Sequence, residues 1–466
     1  MSSATGTDTN VLQDIFSAQT EAFERARYPS ARERRDNLRK LREALLAHQD
    51  ELAAAIDRDF GGRSRDEVLF SEIFVANNAI RHASRNLKGW MAPRPRHVGW
   101  PLQVAEAWVL AQPLGVIGII VPWNYPVFLS LAPLAGALAA GNRVMLKLSE
   151  FNPETSALMA RIISNAFPSD LVAAVTGDAN VGRAFSALPF DHLLFTGATA
   201  VGREVMRAAA ENLTPVTLEL GGKSPAIIAP GANLEHAARD IAYGKLLNAG
   251  QTCIAPDYVL LPEGQLREFV EVLRKAIARY YPDSRYTSII NQKNYERLRG
   301  YLDEAGARGV ESIALGAADG GERGVAPTVI INPPDDLRAM RDEIFGPILP
   351  LKTYRELDEA IAHVNHGSRP LALYLFARDG KTIERVLRET ISGGVCINDT
   401  LLHIAVEDLP FGGVGGSGMG HYHGQEGFDT FSKLKPVFRR RWISLPGMLR
   451  PPHTRLHDWM RRILIR

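Results

Sequence analysis

Cysteine is scarce here: Cys253 and Cys396 are the two in 466 residues. Two thiols cannot build a disulfide framework, so both are read as free thiols in a reducing compartment. Long apolar runs are also missing. No stretch reaches the roughly eighteen apolar residues that a membrane-spanning helix needs. The opening MSSATGTDTN is polar and lacks a basic segment followed by an apolar one, so no secretory signal is expected. Neither charge sign dominates: the net charge is +2, which gives no global reason to bind nucleic acid. Internal repeats, low-complexity tracts and clustered metal ligands are absent from the sequence pattern, so no metal site is expected. What remains is an ordinary globular composition, 45% hydrophobic and 23% charged, in a chain long enough for two to four domains.

The N-terminal part reads as helix. Leu12, Ile15 and Phe16 begin an apolar stripe, and Leu38, Leu41, Leu45, Leu52 and Ile56 continue one. Ser30 and Glu33 have the spacing of a capping box. A further helical stretch runs from about Val68 to Leu87, and Pro93, Pro95 and Pro101 then break the chain.

From Trp108 the texture changes. Gly115–Val121 is a continuous apolar run, as expected of a strand buried on both faces. Helical and strand-like runs then alternate: a helix over 129–140, a strand over 143–147, a helix over 153–166, a strand over 171–176, a helix near 182–188 and a strand over 192–195. This alternation predicts a doubly wound parallel sheet, which binds ligands beyond the carboxyl ends of its strands. Those ends are Pro122–Tyr125, Lys147–Glu150 and Thr196–Gly197. The turn Thr196-Gly197-Ala198-Thr199-Ala200-Val201-Gly202 does not match G-x-G-x-x-G and by itself reads as a structural turn. A second α/β region follows Lys223, with strand-like runs at 225–229, 258–261, 328–331, 371–376 and 394–398. Its predicted helices lie near 234–248, 265–281, 357–364 and 381–390.

Cys253 lies in AGQTCIAP, between a helical run and a strand-like run. Most lone cysteines in such chains are small buried hydrophobes, and Cys396, inside the apolar Gly394–Asn398, fits that description. A thiol on a connection between rigid elements is where chemistry tends to sit. A cysteine nucleophile needs a lowered pKa or a nearby base, and donors for the charge created on its substrate.

The motifs PWNYP at 122–126, FTG at 195–197, LELGGK at 218–223, GQTC at 250–253, EIFGP at 343–347 and PFGG at 410–413 occur in this order. Together they resemble the NAD(P)-dependent aldehyde dehydrogenase superfamily over roughly residues 10–440. The compact N-terminus and YGKLLNAGQTCIAPDY are most similar to its class 3 branch; NDTLLHIAVEDLPFGGVG and GMGHYHG are similar to coniferyl aldehyde dehydrogenases. The resemblance implies an α/β fold with two doubly wound domains, for cofactor and catalysis, and a small oligomerisation arm. It implies a cofactor domain over 1–97 and 116–217, a catalytic domain over 218–398, bridging segments at 98–115 and 399–437, and a separate tail from 438.

It also implies residue roles. Cys253 would attack the aldehyde, Asn124 and the Cys253 N–H would hold the oxyanion, and Glu219 would activate the hydrolytic water. Lys147, Glu150, Thr196, Gly197, Gly202, Glu343, Phe345 and Trp123 would line the NAD site. Leu148 replaces the proline of the common KPSE pattern. Glu150 disfavours a 2′-phosphate, though NADP use stays open. A homodimer and a cytoplasmic location are implied, with an aromatic aldehyde such as coniferaldehyde, or a longer aliphatic one, as substrate. The alternatives are a fatty aldehyde dehydrogenase with a membrane-associated tail, a CoA-acylating enzyme, or a binding relative without chemistry. The retained Glu219 and Cys253 argue against the last two. The tail is arginine-rich, and Thr454–Arg466 has an apolar face. That pattern fits weak attachment to an anionic membrane as well as docking on the protein itself.

Overall fold

In the computed structural model, residues 9–99, 105–282, 286–317 and 321–440 are described, with isolated positions 451, 455, 458, 459 and 462 beyond. The strands in chain order are β1 (Arg94–Arg96), β2 (Ala105–Pro113), β3 (Val116–Ile120), β4 (Arg143–Lys147), β5 (Val172–Val175), β6 (His192–Gly197), β7 (Val216–Leu220) and β8 (Pro225–Ile228). They continue with β9 (Tyr258–Pro262), β10 (Ser312–Ala314), β11 (Thr328–Ile331), β12 (Ile348–Tyr354), β13 (Ala372–Phe376), β14 (Gly394–Ile397), β15 (Gly418–Met419) and β16 (Ser432–Arg440).

They form three sheets. The first, ordered β15-β7-β6-β3-β4-β5, is parallel except at β15. The second, ordered β10-β11-β12-β9-β8-β13-β14, is parallel except at β10. The third, β1-β2-β16, is antiparallel and largely exposed along β16. Two parallel α/β sheets are therefore present, as the alternating runs predict.

The first helix, Thr9–Arg25, packs on β3 and β4, and the helices Ala31–Ala47 and Gln49–Phe60 pack on other helices. Ser30 caps the helix Ala31–Ala47: its hydroxyl accepts from Glu33 N at 3.3 Å, while the Glu33 carboxylate accepts from Ser30 N at 2.7 Å. The stretch expected as one helix from Val68 to Leu87 runs from Arg65 to Trp90 and contains a π-helical turn at Leu69–Phe74. That turn carries Glu72 inward, to 0% exposure.

Several boundaries differ from expectation. Helix 182–188 is found at Ala179–Ser186, started by the Asp178 carboxylate accepting from Asn180 N and Val181 N. Residues 94–96, expected only as a proline break, pair with β2. Strand β16 extends to Arg440, so Phe438–Arg440, read as tail, belong to the third sheet. The segment 399–437 does more than bridge. Its β15 pairs with Glu219 in β7, and its helix Gly424–Thr430 packs against helices Val75–Trp90 and Phe128–Ala140. The helix Gln292–Ala307 and the central strand β12 are additions to the predicted elements. The predicted helix over Thr454–Arg466 lies outside the described residues apart from isolated positions. Among the described residues, no helix is long and apolar enough to cross a membrane.

Candidate active site

Cys253 follows a short 3-10 turn, Leu247–Gly250, that ends the helical segment begun at Leu234. Three successive residues there have positive φ: Asn248 at 51°, Ala249 at 53° and Gly250 at 74°. Only glycine fits the last position. A Cβ on Gly250 would lie 2.5 Å from the carbonyl oxygen of Gly346, in EIFGP, and 2.8 Å from that of Lys245. GQTC and EIFGP are thus pressed together through backbone, and Phe345 is itself held at φ 48°. Non-glycine residues in this region store strain, which surrounding structure has to hold in place.

Glu219 sits in β7, between Thr196 of β6 and Gly418 of β15, and is 3% exposed. Both of its carboxylate oxygens are buried without a hydrogen-bond partner among the described residues. Burial raises its pKa well above 4.5. Glu343, half-buried overall, is the second acid. It lies on the glycines after β7, where a Cβ on Gly221 would come within 2.0 Å of its Oε2. Burial, helped by the charge of Asp257, lifts its pKa to about 8, and its Oε1 has no partner.

The Cys253 thiol is flanked by both acids. Burial pushes its pKa up to about 12, and the charges of Glu343 and Glu219 add to the shift. The backbone N–H groups of Cys253 and Ile254 face the sulfur and act the other way. The lowered thiol pKa considered from sequence is therefore not found, and activation depends on nearby bases. Burial raises both carboxyl groups, Glu343 to about 8, which makes each a stronger base than an exposed carboxylate. Cys396, expected in the core, is on the edge strand β14 and is only half-buried.

The loop carrying Asn124 is locked against the Cys253 loop. Asn124 Nδ2 donates to the carbonyl of Gln251 at 3.1 Å, which leaves its second N–H outside that bond. The Tyr125 and Thr252 hydroxyls share a 2.6 Å hydrogen bond. Beneath both loops lies Arg63, with a fully buried side chain. Its Nη1 donates to the Asn124 carbonyl at 3.0 Å and to Glu72 Oε1 at 3.1 Å; its Nε donates to Glu67 Oε1 at 3.3 Å. Glu67 accepts in turn from Asn248 N at 2.9 Å, and Glu72 from Val127 N and Phe128 N at 2.9 and 2.8 Å. The guanidinium also stands 4.7 Å from the Tyr125 ring centre. One cation therefore ties PWNYP to the strained turn before Cys253. Sequence reading missed this cluster. The only local signal is a helix start, Ser64 capping Glu67, which says nothing about burial.

Lys147, Thr196 and Gly197 lie at strand ends of the first sheet. Lys147 ends β4, is 3% exposed, and donates to Glu150 Oε2 at 2.7 Å. Thr196 and Gly197 end β6. The helix Thr199–Ala210 begins there with Ala198 at its N-cap, which supplies no side-chain cap. Its first N–H groups are thus left for an anion. Gly202 lets that helix approach the sheet, since a Cβ there would come within 2.7 Å of Leu220. Trp123 meets Phe345 edge-on at 5.3 Å, forming an aromatic wall. A cation, an uncapped helix start, carboxylates and flat apolar walls together suit a large phosphate-bearing, ribose-bearing ligand. Among the described residues, no cluster could hold a metal ion.

A parallel α/β architecture with a cysteine between two acids of raised pKa defines the class, and a family model agrees with it. The model for the aldehyde dehydrogenase family matches residues 2–437, and the chain belongs to that family. It is accordingly an aldehyde dehydrogenase, an oxidoreductase. Over 448 residues the chain is 53% identical to a probable coniferyl aldehyde dehydrogenase of Pseudomonas aeruginosa, covering 95% of this chain and 94% of that one. A substrate-bound structure of AldH from Staphylococcus aureus superposes with TM-score 0.92 at 36% identity, covering 97% of this chain and 99% of that one. An NAD-dependent aldehyde dehydrogenase from Sinorhizobium meliloti matches with TM-score 0.84 at 29% identity, covering 96% and 89% of the two chains.

Proposed function

We propose that this enzyme oxidises an aromatic aldehyde of the coniferaldehyde type to its carboxylic acid with NAD, through a covalent bond to Cys253. The observation that carries the reading is Cys253 flanked by two carboxyl groups of raised pKa beside the locked Asn124 loop. The names of relatives supply the substrate and cofactor class.

The thiol proton is lost to a neighbouring carboxylate as sulfur attacks the carbonyl carbon, which balances the high pKa of the buried thiol. Negative charge then gathers on the former carbonyl oxygen. Asn124 Nδ2 and the Cys253 N–H are the donors assigned to it. NAD, held by the residues named below, would supply the hydride acceptor for the tetrahedral carbon. Cys253 is left as a thioester. Glu219 takes a proton from water as the water oxygen attacks that thioester, and the carbon–sulfur bond breaks to release acid and thiol.

Lys147 and the open start of helix Thr199–Ala210 are assigned to the cofactor's ribose and phosphates, together with Thr196, Gly197 and Gly202. Glu343, Trp123 and Phe345 are assigned to its nicotinamide end. Glu150 beside Lys147 favours NAD over NADP by like-charge repulsion of a 2′-phosphate. The exposed edge strand β16, with Leu434 and Phe438 39% and 55% exposed, supports a homodimer built on the third sheet. The two free thiols suit the cytoplasm. The experiment is a kcat/KM series over coniferaldehyde, cinnamaldehyde and medium- and long-chain aliphatic aldehydes, with acid measured with and without CoA. Preference for an aliphatic chain, or product that requires CoA, would replace this reading.

A further inference from the structure

His423 combines features that packing alone does not explain. Its backbone stands at φ 91° and ψ 145°, a conformation that L-residues avoid. It is 5% exposed, and both ring nitrogens are buried without a partner among the described residues; the same is true of both nitrogens of His403. Aromatic rings surround the pair. Phe411 stacks on His423 at 5.3 Å and 23°, and Tyr422 meets it edge-on at 4.6 Å. His403 stands 6.1 Å from the rings of both Phe411 and Tyr374.

The cluster adjoins the chemistry. The Tyr374 hydroxyl donates to the carbonyl of Ile254, next to Cys253. Tyr422 lies close enough to Glu219 and Cys253 for their charges to add to burial in raising its pKa. Burial pushes His403 down to about 4, and burial with the neighbouring His403 and His82 pushes His423 down to about 3. Each ring is therefore neutral at ordinary pH, with one N–H and one lone pair. A matching ligand group has to donate and accept together. Carboxylates only accept and ammonium groups only donate, while an alkyl tail would leave four buried nitrogens unsatisfied. A hydroxyl donates to one ring nitrogen and accepts from another, and the flat ring that carries it suits the aromatic walls.

We propose that His403 and His423 form a subsite that reads a ring hydroxyl on an aromatic aldehyde. The inference rests on the proposed oxidation of aromatic aldehydes at Cys253. The test compares kcat/KM for 4-hydroxy-3-methoxycinnamaldehyde, 3,4-dimethoxycinnamaldehyde and cinnamaldehyde in wild type, His403→Phe and His423→Phe. A site built to hydrogen-bond a hydroxyl discriminates strongly against analogues lacking it. The expected wild-type preference for the hydroxylated substrate over cinnamaldehyde is at least roughly tenfold, with the dimethoxy compound, which only accepts, in between. That ratio falls toward one in the variants. The strained backbone of His423 makes its variant the less certain to fold, and the wild-type ratio and His403→Phe then decide. A wild-type ratio near one, or a variant that slows hydroxylated and plain substrates equally, overturns the inference while leaving aromatic oxidation standing. Failure of wild type to oxidise any of the three overturns both.

Discussion

Replacing Arg63 by Met should disable the chemical step more than it disables binding. The side chain is nearly isosteric along its stem, but it removes the donors to Asn124 O, Glu72 and Glu67. Breaking a buried ion pair from one side costs about 3–5 kcal/mol. Here the cost falls below that, because Glu72, already raised to about 7 by burial, can take up a proton instead. The larger consequence is positional. Asn124 loses the donor on its carbonyl, and the Glu67 that holds Asn248 N loses its counter-ion. A displacement of about 1 Å in a reacting constellation costs on the order of 100-fold in rate. Stopped-flow measurement of the NADH burst should show that loss, while NAD affinity, read by fluorescence titration, stays close to wild type. Arg63→Lys should recover part of the burst.

A pH signature separates this from general loosening. A carboxyl whose folded pKa lies above its unfolded value stabilises the fold at low pH and loses that contribution as pH rises through the folded value. Without Arg63, Glu72 is raised further, so the variant goes on losing stability above about pH 7, where the wild-type contribution has levelled off. The gap in Tm between wild type and Arg63→Met should therefore widen from pH 6 to pH 8. A folded Arg63→Met with a burst within about twofold of wild type would refute the positioning argument.

Cys253→Ala should abolish NADH formation with every aldehyde while NAD still binds, and Cys396→Ala, on the edge strand β14, should keep most turnover; equal losses in two folded variants would reassign the nucleophile. Glu219→Gln should give one burst of NADH and then stall, measured by rapid quench. Loss of the burst too would place that carboxylate at the Cys253 deprotonation step and make Glu343 the candidate for hydrolysis. For the tail, vesicles containing anionic lipid should co-sediment the full chain at low salt but not a truncation after Arg440. The cut falls there because β16 pairs with β2 through Arg440, so cutting after Val437 would remove three strand residues as well. Both proteins remaining in the supernatant would dispose of membrane attachment.

Much of the architecture was legible in order. Unbroken apolar runs such as β3 and β13 mark strands covered on both faces, and their alternation with helical runs predicts parallel sheets. The ordered motifs locate Cys253, Glu219 and Glu343. The elements that escaped have weak local patterns. Strand β12 contains Pro350, which argues against a central strand. The proline is tolerated because it pairs with β11 only, and the ladder to β9 begins at Leu351. The helix Gln292–Ala307 buries only Leu298, Tyr301 and Ala305, too narrow a stripe to stand out among its charges.

What the sequence by itself determined was the alternation of elements, the family motifs and the identity of the reactive groups. Tertiary structure decided the state of those groups. Arginine next to two glycines and a serine reads as surface; only the meeting of Arg63 with Asn124, 61 residues away, makes it a buried clamp. Asn124 and Gln251 come together across 127 residues. The raised pKa values of Cys253, Glu219 and Glu343, and the lowered ones of His403 and His423, are chiefly products of desolvation. Desolvation depends on what distant segments place around a group, and no window of neighbouring residues carries that information.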